Sequence, residues 1–515
     1  MEKVNKKTEI FSKILEIYQK TKNLEKSKRL AGKFFSLPKM PKNYEILKFA
    51  KEKNVSLEEK IHKIRSLSGI VSVSVLTKPF PCRFKCAFCP KEKGMPQSYL
   101  SQEPAAERAK SLNFDPYLQV RKRLETLKIS GHSTDKIELI ILGSTFSLLP
   151  KRYRIWFLKR CFDGANNKES KNLKEAQFLN EKAKNRIIGI TIETRPDLIN
   201  EEEIKFLREL GVTRVELGAQ SFFNFILKKN ERGHQRKDLI NATFLLKETG
   251  FKVVYHIMLN LPYSNPLLDI LSSLLFFYLP PFKPDQIKIY PLMVVKGSKI
   301  YNWFREGKIK IYDKETLIKT LAAIKRLVPS HVRISRIIRD IPSPKIESEM
   351  RITNLRENVQ YFLKSRGLRC KCIRCREIRE GKIKFPILKI KKYIASKGKE
   401  FFISIEDKKT KKLASFLRLR IPYFLKNNKP IFDSLKNCAL IREIHTYGRM
   451  LELGETNKKY IQHQGFGIKL IKEAEKIAKI RGAKKIAVIA GVGAREYFRK
   501  NGYTLKDTYM IKDLK

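Results

Sequence analysis

Val71-Ser-Val-Ser-Val-Leu76 runs directly into Thr77-Lys-Pro-Phe-Pro-Cys82-Arg-Phe-Lys-Cys86-Ala-Phe-Cys89. The first half is a β-branched apolar run, and the second is a loop with thiols separated by three and then two residues. Gaps this short let one loop wrap three corners of a cuboidal iron–sulfur cluster, leaving the fourth iron without a protein ligand. That iron can chelate the amino and carboxylate groups of S-adenosylmethionine (SAM). Cys82, Cys86 and Cys89 are therefore candidate ligands of a [4Fe–4S] cluster used for radical chemistry. Phe84 and Phe88 would shield the cluster from water. A zinc knuckle short of one ligand is the alternative, and placement after the first strand of a β/α array argues against it.

Similar apolar runs recur at Ile137–Leu142, Ile187–Ile192, Arg214–Gly218, Lys252–Met258 and Gln286–Tyr290, with helix-like stretches such as Asp115–Lys128 and Glu201–Leu210 between them. Runs this apolar predict a parallel sheet covered by helices. Six units predict an incomplete (β/α)6 barrel over residues 68–345, with chemistry gathered at the C-terminal strand ends. Gly143-Ser144 ends the second run, either as a tight turn or as backbone able to approach the methionine amino group. Glu193 and Arg195 end the third, either as a strand-end salt bridge or as a carboxylate and guanidinium that hold a polar cofactor.

Residues 346–395 read as a basic linker. It carries Cys370-Lys-Cys372-Ile-Arg-Cys375, three sulfurs for a structural Zn2+ site in preference to a second iron–sulfur cluster. Residues 396–515 read as a separate α/β domain. Phe401–Glu406 and Leu413–Arg420 predict an antiparallel pair, with a third strand near Ala439–Tyr447 and a closing strand at Ile486–Ala490. Gln462-His-Gln-Gly465-Phe-Gly467 precedes a helix whose apolar face is Leu470, Ile471, Ala474, Ile477 and Ala478. Glycine N–H groups at such a helix start can cradle a pyrophosphate. The Gln-x-x-Gly-x-Gly pattern resembles that of GNAT acetyltransferases, which bind acetyl-CoA there. Tyr497-Phe498 and Gly502-Tyr503 resemble the usual GNAT ending.

Lys and Arg total 109 against 52 acids, a formal charge of +57. Such a surface seeks polyanions, nucleic acid first, unless it reflects a Lys-rich proteome. Residues 1–67 hold 18 basic and 8 acidic residues in amphipathic helical stretches, a small basic N-terminal helical module suited to a polyanion. No apolar run reaches the roughly 18–20 residues that span a bilayer, and the start does not read as a signal peptide. A cytoplasmic protein with no membrane partner is expected.

The ordered motifs then resemble the Elp3 family, the catalytic subunit of Elongator and its stand-alone archaeal and bacterial counterparts. They are the cysteine triad, Gly131-His-Ser-x-Asp-Lys136, Gly189-Ile-Thr-Ile-Glu-Thr-Arg-Pro-Asp197, Asn230-x-Arg-Gly-His234, Lys283-Pro-Asp-x-x-Lys-x-Tyr-Pro291, the second cysteine group, Arg442-Glu-x-His-x-Tyr-Gly448 and Gln462–Gly467. The resemblance implies modification of C5 of the wobble uridine, U34, in the anticodon stem-loop of tRNA. A SAM-derived radical would act on acetyl-CoA to give carboxymethyluridine. It implies acetyl-CoA contacts at Lys136, at Glu443, Ile444, His445 and Thr446, at Phe466, Gly467 and Ile468, and at Tyr497 and Phe498, beside the glycine motif of Gln462 and Gly465. Lys288 and Tyr290 would line the uridine or SAM pocket, and Lys136, Lys288, Tyr290 and Tyr497 are the candidate catalytic residues. An electron donor, and either a homodimer or Elongator-like subunits, would be partners. The sequence departs from the family at Cys89-Pro-Lys-Glu-Lys-Gly, at Ser144, at His256–Pro262 and at Phe498, which bears on SAM-loop geometry and turnover. Two other readings compete: a non-catalytic tRNA-binding homologue, and a protein lysine acetyltransferase.

Overall fold

A computed structural model describes residues 2–37, 40–57, 69–143, 145–341, 345–346, 354–379, 381, 383–427, 429–448 and 465–514. Ser144 and Gln462 lie outside the described residues, as does the stretch 58–68 at the predicted edge of the N-terminal module.

The apolar runs form a sheet with strand order β1 (Ile70–Leu76), β2 (Lys136–Leu142), β3 (Arg186–Thr194), β4 (Arg214–Gln220), β5 (Lys252–Leu259), β6 (Gln286–Pro291) and β7 (Arg333–Arg336). All pairs are parallel, and helices cover the outside. The partial barrel is as expected, with seven strands rather than six. The seventh escapes a hydrophobicity reading because Arg333-Ile-Ser-Arg336 has one apolar residue in four.

A second sheet of seven strands has the order β13-β14-β12-β11-β10-β9-β8. Its members are β8 (Pro386–Ala395), β9 (Gly398–Asp407), β10 (Leu413–Ile421), β11 (Cys438–Thr446), β12 (Lys485–Val488), β13 (Thr504–Lys506) and β14 (Tyr509–Asp513). Only β11 and β12 pair in parallel, joined by the helix Phe466–Ile480, which packs Leu470, Ile471, Ala474 and Ile477 into the core of this sheet. The expected boundary at 396 falls inside the β8–β9 hairpin, so Pro386–Ala395 is sheet and not linker. Its Lys-rich, largely exposed residues are those of an edge strand.

Three helices, Glu2–Thr21, Leu24–Phe34 and Asn43–Glu52, enclose a small core of Ile10, Phe11, Ile14, Leu15, Tyr18, Leu24, Ala31, Ile46 and Ala50. Among the described residues no helix is long and apolar enough to cross a membrane.

The second sheet docks on the N-terminal half of the barrel strands. At one contact the turn Gly491-Val-Gly493 lies on β3. An added Cβ on Gly491 would stand 2.1 Å from Ile188 O and 2.9 Å from Gly189 N. Its φ is −68°, so the need is for space and not for an unusual backbone. Because the obstacle is backbone that cannot swing aside, Gly491→Ala is expected to cost about 1–3 kcal/mol or more. A lowered thermal unfolding midpoint checks this.

Candidate active site

The cysteine loop leaves the C-terminal end of β1. Cys86 is buried, while Cys82 and Cys89 are half-buried. Arg232 Nη1 donates to Cys86 Sγ at 3.3 Å and Arg195 Nη1 at 3.8 Å. The neighbouring Cys89 thiol, against the opposing effect of burial and with help from Arg232 and Arg195, pulls Cys86 down to about 5. Cys86 is therefore the thiolate of the hydrogen-bonded pair, while that bond and burial hold the Cys89 thiol up; a thiolate is the donor state that iron requires. The donor set fits a cluster.

Arg195 is committed to the loop. It holds Asp197 at 2.9 and 3.1 Å, donates to Arg232 O at 2.7 Å, and stacks its guanidinium 3.5 Å from the Phe84 ring centroid. Its partner is Asp197 and not Glu193. Glu193 instead faces the barrel lumen, where Tyr99 donates to it at 2.8 Å and Lys288 lies at 3.7 Å. Gly143, at the end of β2, has φ +125°, and an added Cβ would meet Thr77 Oγ1 at 2.0 Å, so only glycine fits there.

Deeper in the lumen, Glu216 of β4 accepts from both His256 Nε2, at 2.6 Å, and Lys288 Nζ. Burial disfavours either charge, but the mutual attraction wins: Lys288 is held up and Glu216 held down. Tyr290 sets its ring edge-on to His256 at 5.3 Å. One step lower, Arg214 bridges Glu138 at 2.7 Å and Thr191 Oγ1 at 2.8 Å. Glu216, His256, Arg214, Glu138, Tyr99 and Arg232 were not singled out from the sequence. For Glu138, Arg214, Glu216 and His256 the available signal was a polar residue interrupting an otherwise apolar strand; Tyr99 and Arg232 lie outside the strands.

At the foot of the barrel stands Lys136, the first residue of β2, its pKa lowered by burial. The facing strand β11 brings Glu443, held by Arg418 at 2.9 Å and Lys252 at 3.9 Å. Ile444 follows it, and Thr446 Oγ1 bonds Ser415 Oγ at 2.9 Å. His445 packs against Phe416 and Tyr447, and burial with nearby Arg333 lowers it to about 4, so the ring is neutral. Gly465 caps the helix Phe466–Ile480. A Cβ on Gly467 would lie 2.9 Å from Tyr497 Oη, so the glycine turn and Tyr497 are in direct contact. Phe498 is buried and Tyr497 is 42% exposed.

These places share one cavity of about 2220 Å³. It is lined by Cys89, Glu193, Arg195, Lys288 and Tyr290 at one end, Lys136 and Glu138 midway, and Glu443–Thr446, Gly465, Gly467, Ile468, Tyr497 and Phe498 at the other.

The second cysteine group lies apart, on the helix Ile373–Arg376 and the residues before it. The sulfurs of Cys370, Cys372 and Cys375 all lie within 4.8 Å of one another, a spacing that fits one tetrahedral ion with Zn–S of about 2.3 Å. Lys325 Nζ is 3.8 Å from Cys375 Sγ. His331 is not part of the group; its ring stacks on Tyr393 at 4.1 Å.

A parallel partial barrel with a three-thiolate loop at its rim defines a radical SAM protein. The Radical SAM superfamily model matches residues 81–268, and the Radical_SAM C-terminal domain matches 284–364. The chain is 42% identical over 531 aligned positions to "tRNA uridine(34) acetyltransferase" of Methanocaldococcus infernus, covering 98% of each. It is 36% identical to "Elongator complex protein 3" of Bos taurus over 98% of this chain and 96% of that protein. The solved structure of the archaeal Methanocaldococcus infernus Elp3 lacking residues 1–46 superposes with a TM-score of 0.77 at 42% identity, covering 87% of this chain and 100% of that one. The chain belongs to the Elp3 family of radical SAM transferases.

Proposed function

We propose that this enzyme modifies C5 of the wobble uridine of tRNA, drawing a carboxymethyl unit from acetyl-CoA under SAM-dependent radical control. The observation that carries the reading is the single cavity running from the cysteine loop to the Gly465–Gly467 turn. Two separate activities would not need a common chamber.

A [4Fe–4S] cluster on Cys82, Cys86 and Cys89, with SAM on its open iron, would supply the hydrogen-abstracting radical. The residues of the chain do the rest. Arg195 and Arg232 fix the loop and neutralise its thiolates. Gly143 would bring backbone close to the SAM site, and Glu193 would offer a carboxylate there. Lys288 and Tyr290 present donors to a base splayed from a single-stranded anticodon loop, which costs less than opening a duplex. N–H groups of the first turn after Gly465, with Phe466, Gly467, Ile468 and Gln462, would hold the acetyl-CoA pyrophosphate. The strand Glu443–Thr446, Tyr497 and Phe498 would flank its pantetheine arm, with Lys136 at the thioester. Cys370, Cys372 and Cys375 would hold a structural Zn2+. The N-terminal helices and the Lys-rich β8 would bind tRNA phosphates, and an electron donor and partner subunits complete the system.

Anaerobic incubation of the reconstituted enzyme with tRNA, SAM and acetyl-CoA, followed by nucleoside mass spectrometry, tests this. Carboxymethyluridine that requires both small molecules is expected. Unchanged U34 in the presence of a fully loaded cluster sinks the reading.

A further inference from the structure

A cluster on the β1 loop must receive one electron from outside the chain at each reductive cleavage, so some outer face must present it to a donor. The outer wall of the loop can be traced. Ala87, between two of the cysteines, is fully buried and packs with Ile226, Leu261, Leu292, Val294 and Ile300. Its N–H donates to Asn230 O at 3.1 Å, and its carbonyl accepts from Ile300 N–H at 3.2 Å. Asn230 Nδ2 in turn donates to Pro262 O at 3.1 Å. One short hydrogen-bonded route therefore runs from Pro262 through Asn230 to Ala87, the covalent neighbour of Cys86.

The residues flanking this wall in sequence turn outward. Phe225, Tyr263 and Leu267 are 50%, 60% and 72% exposed, and none of them lines the cavity. Tyr263 holds its ring out from a left-handed backbone, φ +68°, a conformation unfavourable for a bulky residue. The collar is basic. Lys228 and Lys229 close the helix Asn224–Lys229, and Lys229 Nζ lies 5.0 Å from the Tyr263 ring centroid. Exposed Lys296 and Arg305 stand on the adjoining segment. The acids there are already engaged, Glu231 by Lys299 at 2.6 Å and Glu306 by Lys308 at 2.7 Å.

We propose that this patch docks an acidic one-electron carrier protein of the ferredoxin type, an inference resting on the cluster assigned above. An apolar centre within a positive collar matches an acidic surface with an apolar middle, and transient redox encounters use small interfaces of this kind. A second copy of the chain would bring two positive collars together. A substrate base must enter the cavity, which this patch does not line. The step is balanced: one electron leaves the reduced carrier, which becomes oxidised, and the cluster gains it, with no atom or proton transferred.

The test uses the reconstituted full chain and an acidic [2Fe–2S] ferredoxin as probe. In Leu267→Glu with Lys228→Glu and Lys229→Glu, stopped-flow reduction of the cluster by ferredoxin is expected to slow about tenfold or more and to lose much of its salt dependence. Lys229→Glu alone, the milder variant, should show a smaller shift in the same sense. Reduction by dithionite, iron content and tRNA affinity should be unchanged, and binding of oxidised ferredoxin to the iron-free chain should weaken in parallel. Equal ferredoxin rates in wild type and variants overturn the proposal. So does a wild type that ferredoxin fails to reduce, a loss of tRNA affinity in place of carrier binding, or a change in sedimentation that reveals self-association through the patch. A wild type that takes up no iron would sink the cluster reading itself, and iron analysis reports that separately.

Discussion

Arg442→Ala is expected to lower the stability of the folded chain by about 3–5 kcal/mol, the range for removing one partner from a buried ion network. Arg442 Nη1 lies 3.0 Å from both Asp285 Oδ1 and Glu400 Oε2, and Nη2 reaches Asp285 Oδ2 and, at 2.7 Å, Phe251 O. Lys247 lies 3.4 Å from Asp285, and Arg420 joins Glu400 at 2.9 Å to Glu248 at 2.6 Å. The Arg442, Asp285, Glu400, Lys247 and Arg420 side chains are fully buried. The network ties the second sheet to the barrel, because Asp285 immediately precedes β6 while Glu400, Arg420 and Arg442 belong to β9, β10 and β11. Without Arg442 the two carboxylates keep fewer cations than their burial demands. Arg442→Lys should fall between, since an ammonium restores charge but not the planar fork.

The pH dependence of that loss has a defined sign. Burial pushes Asp285 and Glu400 up, but Arg442 and its neighbours outweigh it and hold both carboxyls below their ordinary range. A carboxyl depressed in the folded state stabilises fully above its unfolded pKa, about 4, and loses that contribution as pH falls through the folded value. The gap between wild type and Arg442→Ala in denaturant unfolding should therefore be widest near neutral pH. It should narrow below about pH 4.

None of this ionic knot is legible from composition. Nothing in Arg418-Leu-Arg420 or in the motif that begins at Arg442 marks these cations as buried in a chain of net +57, and their carboxylate partners come from up to 172 residues away. The barrel is legible for the opposite reason. Strands covered on both faces need continuous apolar runs, and Val71–Leu76 or Lys252–Met258 cannot hide. Strands that face solvent or a charged lumen lose that signature: β7 pairs through Arg333 and Arg336, and β8 is an edge of lysines. In the site, cysteines and glycines announce themselves because their chemistry depends on local spacing. Glu216 and His256 do not, because each is unremarked on its own strand and acquires meaning only from neighbours 32 to 72 residues distant; Lys288 stands out only through the family resemblance.

The largest effect on activity belongs to Cys86→Ala, for which U34 modification is expected to fall below detection while acetyl-CoA binding persists. The first part follows from the loop. Two thiolates remain for three irons, and Arg232 and Arg195, which meet over the Cys86 sulfur, are left facing each other with no anion between them. The guanidiniums then repel in a buried niche, so the loop loses its ligand and its brace together. The second part follows from the separation of cores. The glycine turn, Tyr497 and the strand Glu443–Thr446 rest on the core of the second sheet, which contains no residue of the β1 loop. Iron analysis with electron paramagnetic resonance after reduction should show the cluster gone, while the zinc proposed at Cys370, Cys372 and Cys375 is retained. Isothermal titration with acetyl-CoA should match wild type. Product formed by Cys86→Ala at a rate near wild type would mean that the chemistry does not pass through the cysteine loop, and the shared cavity would need another explanation.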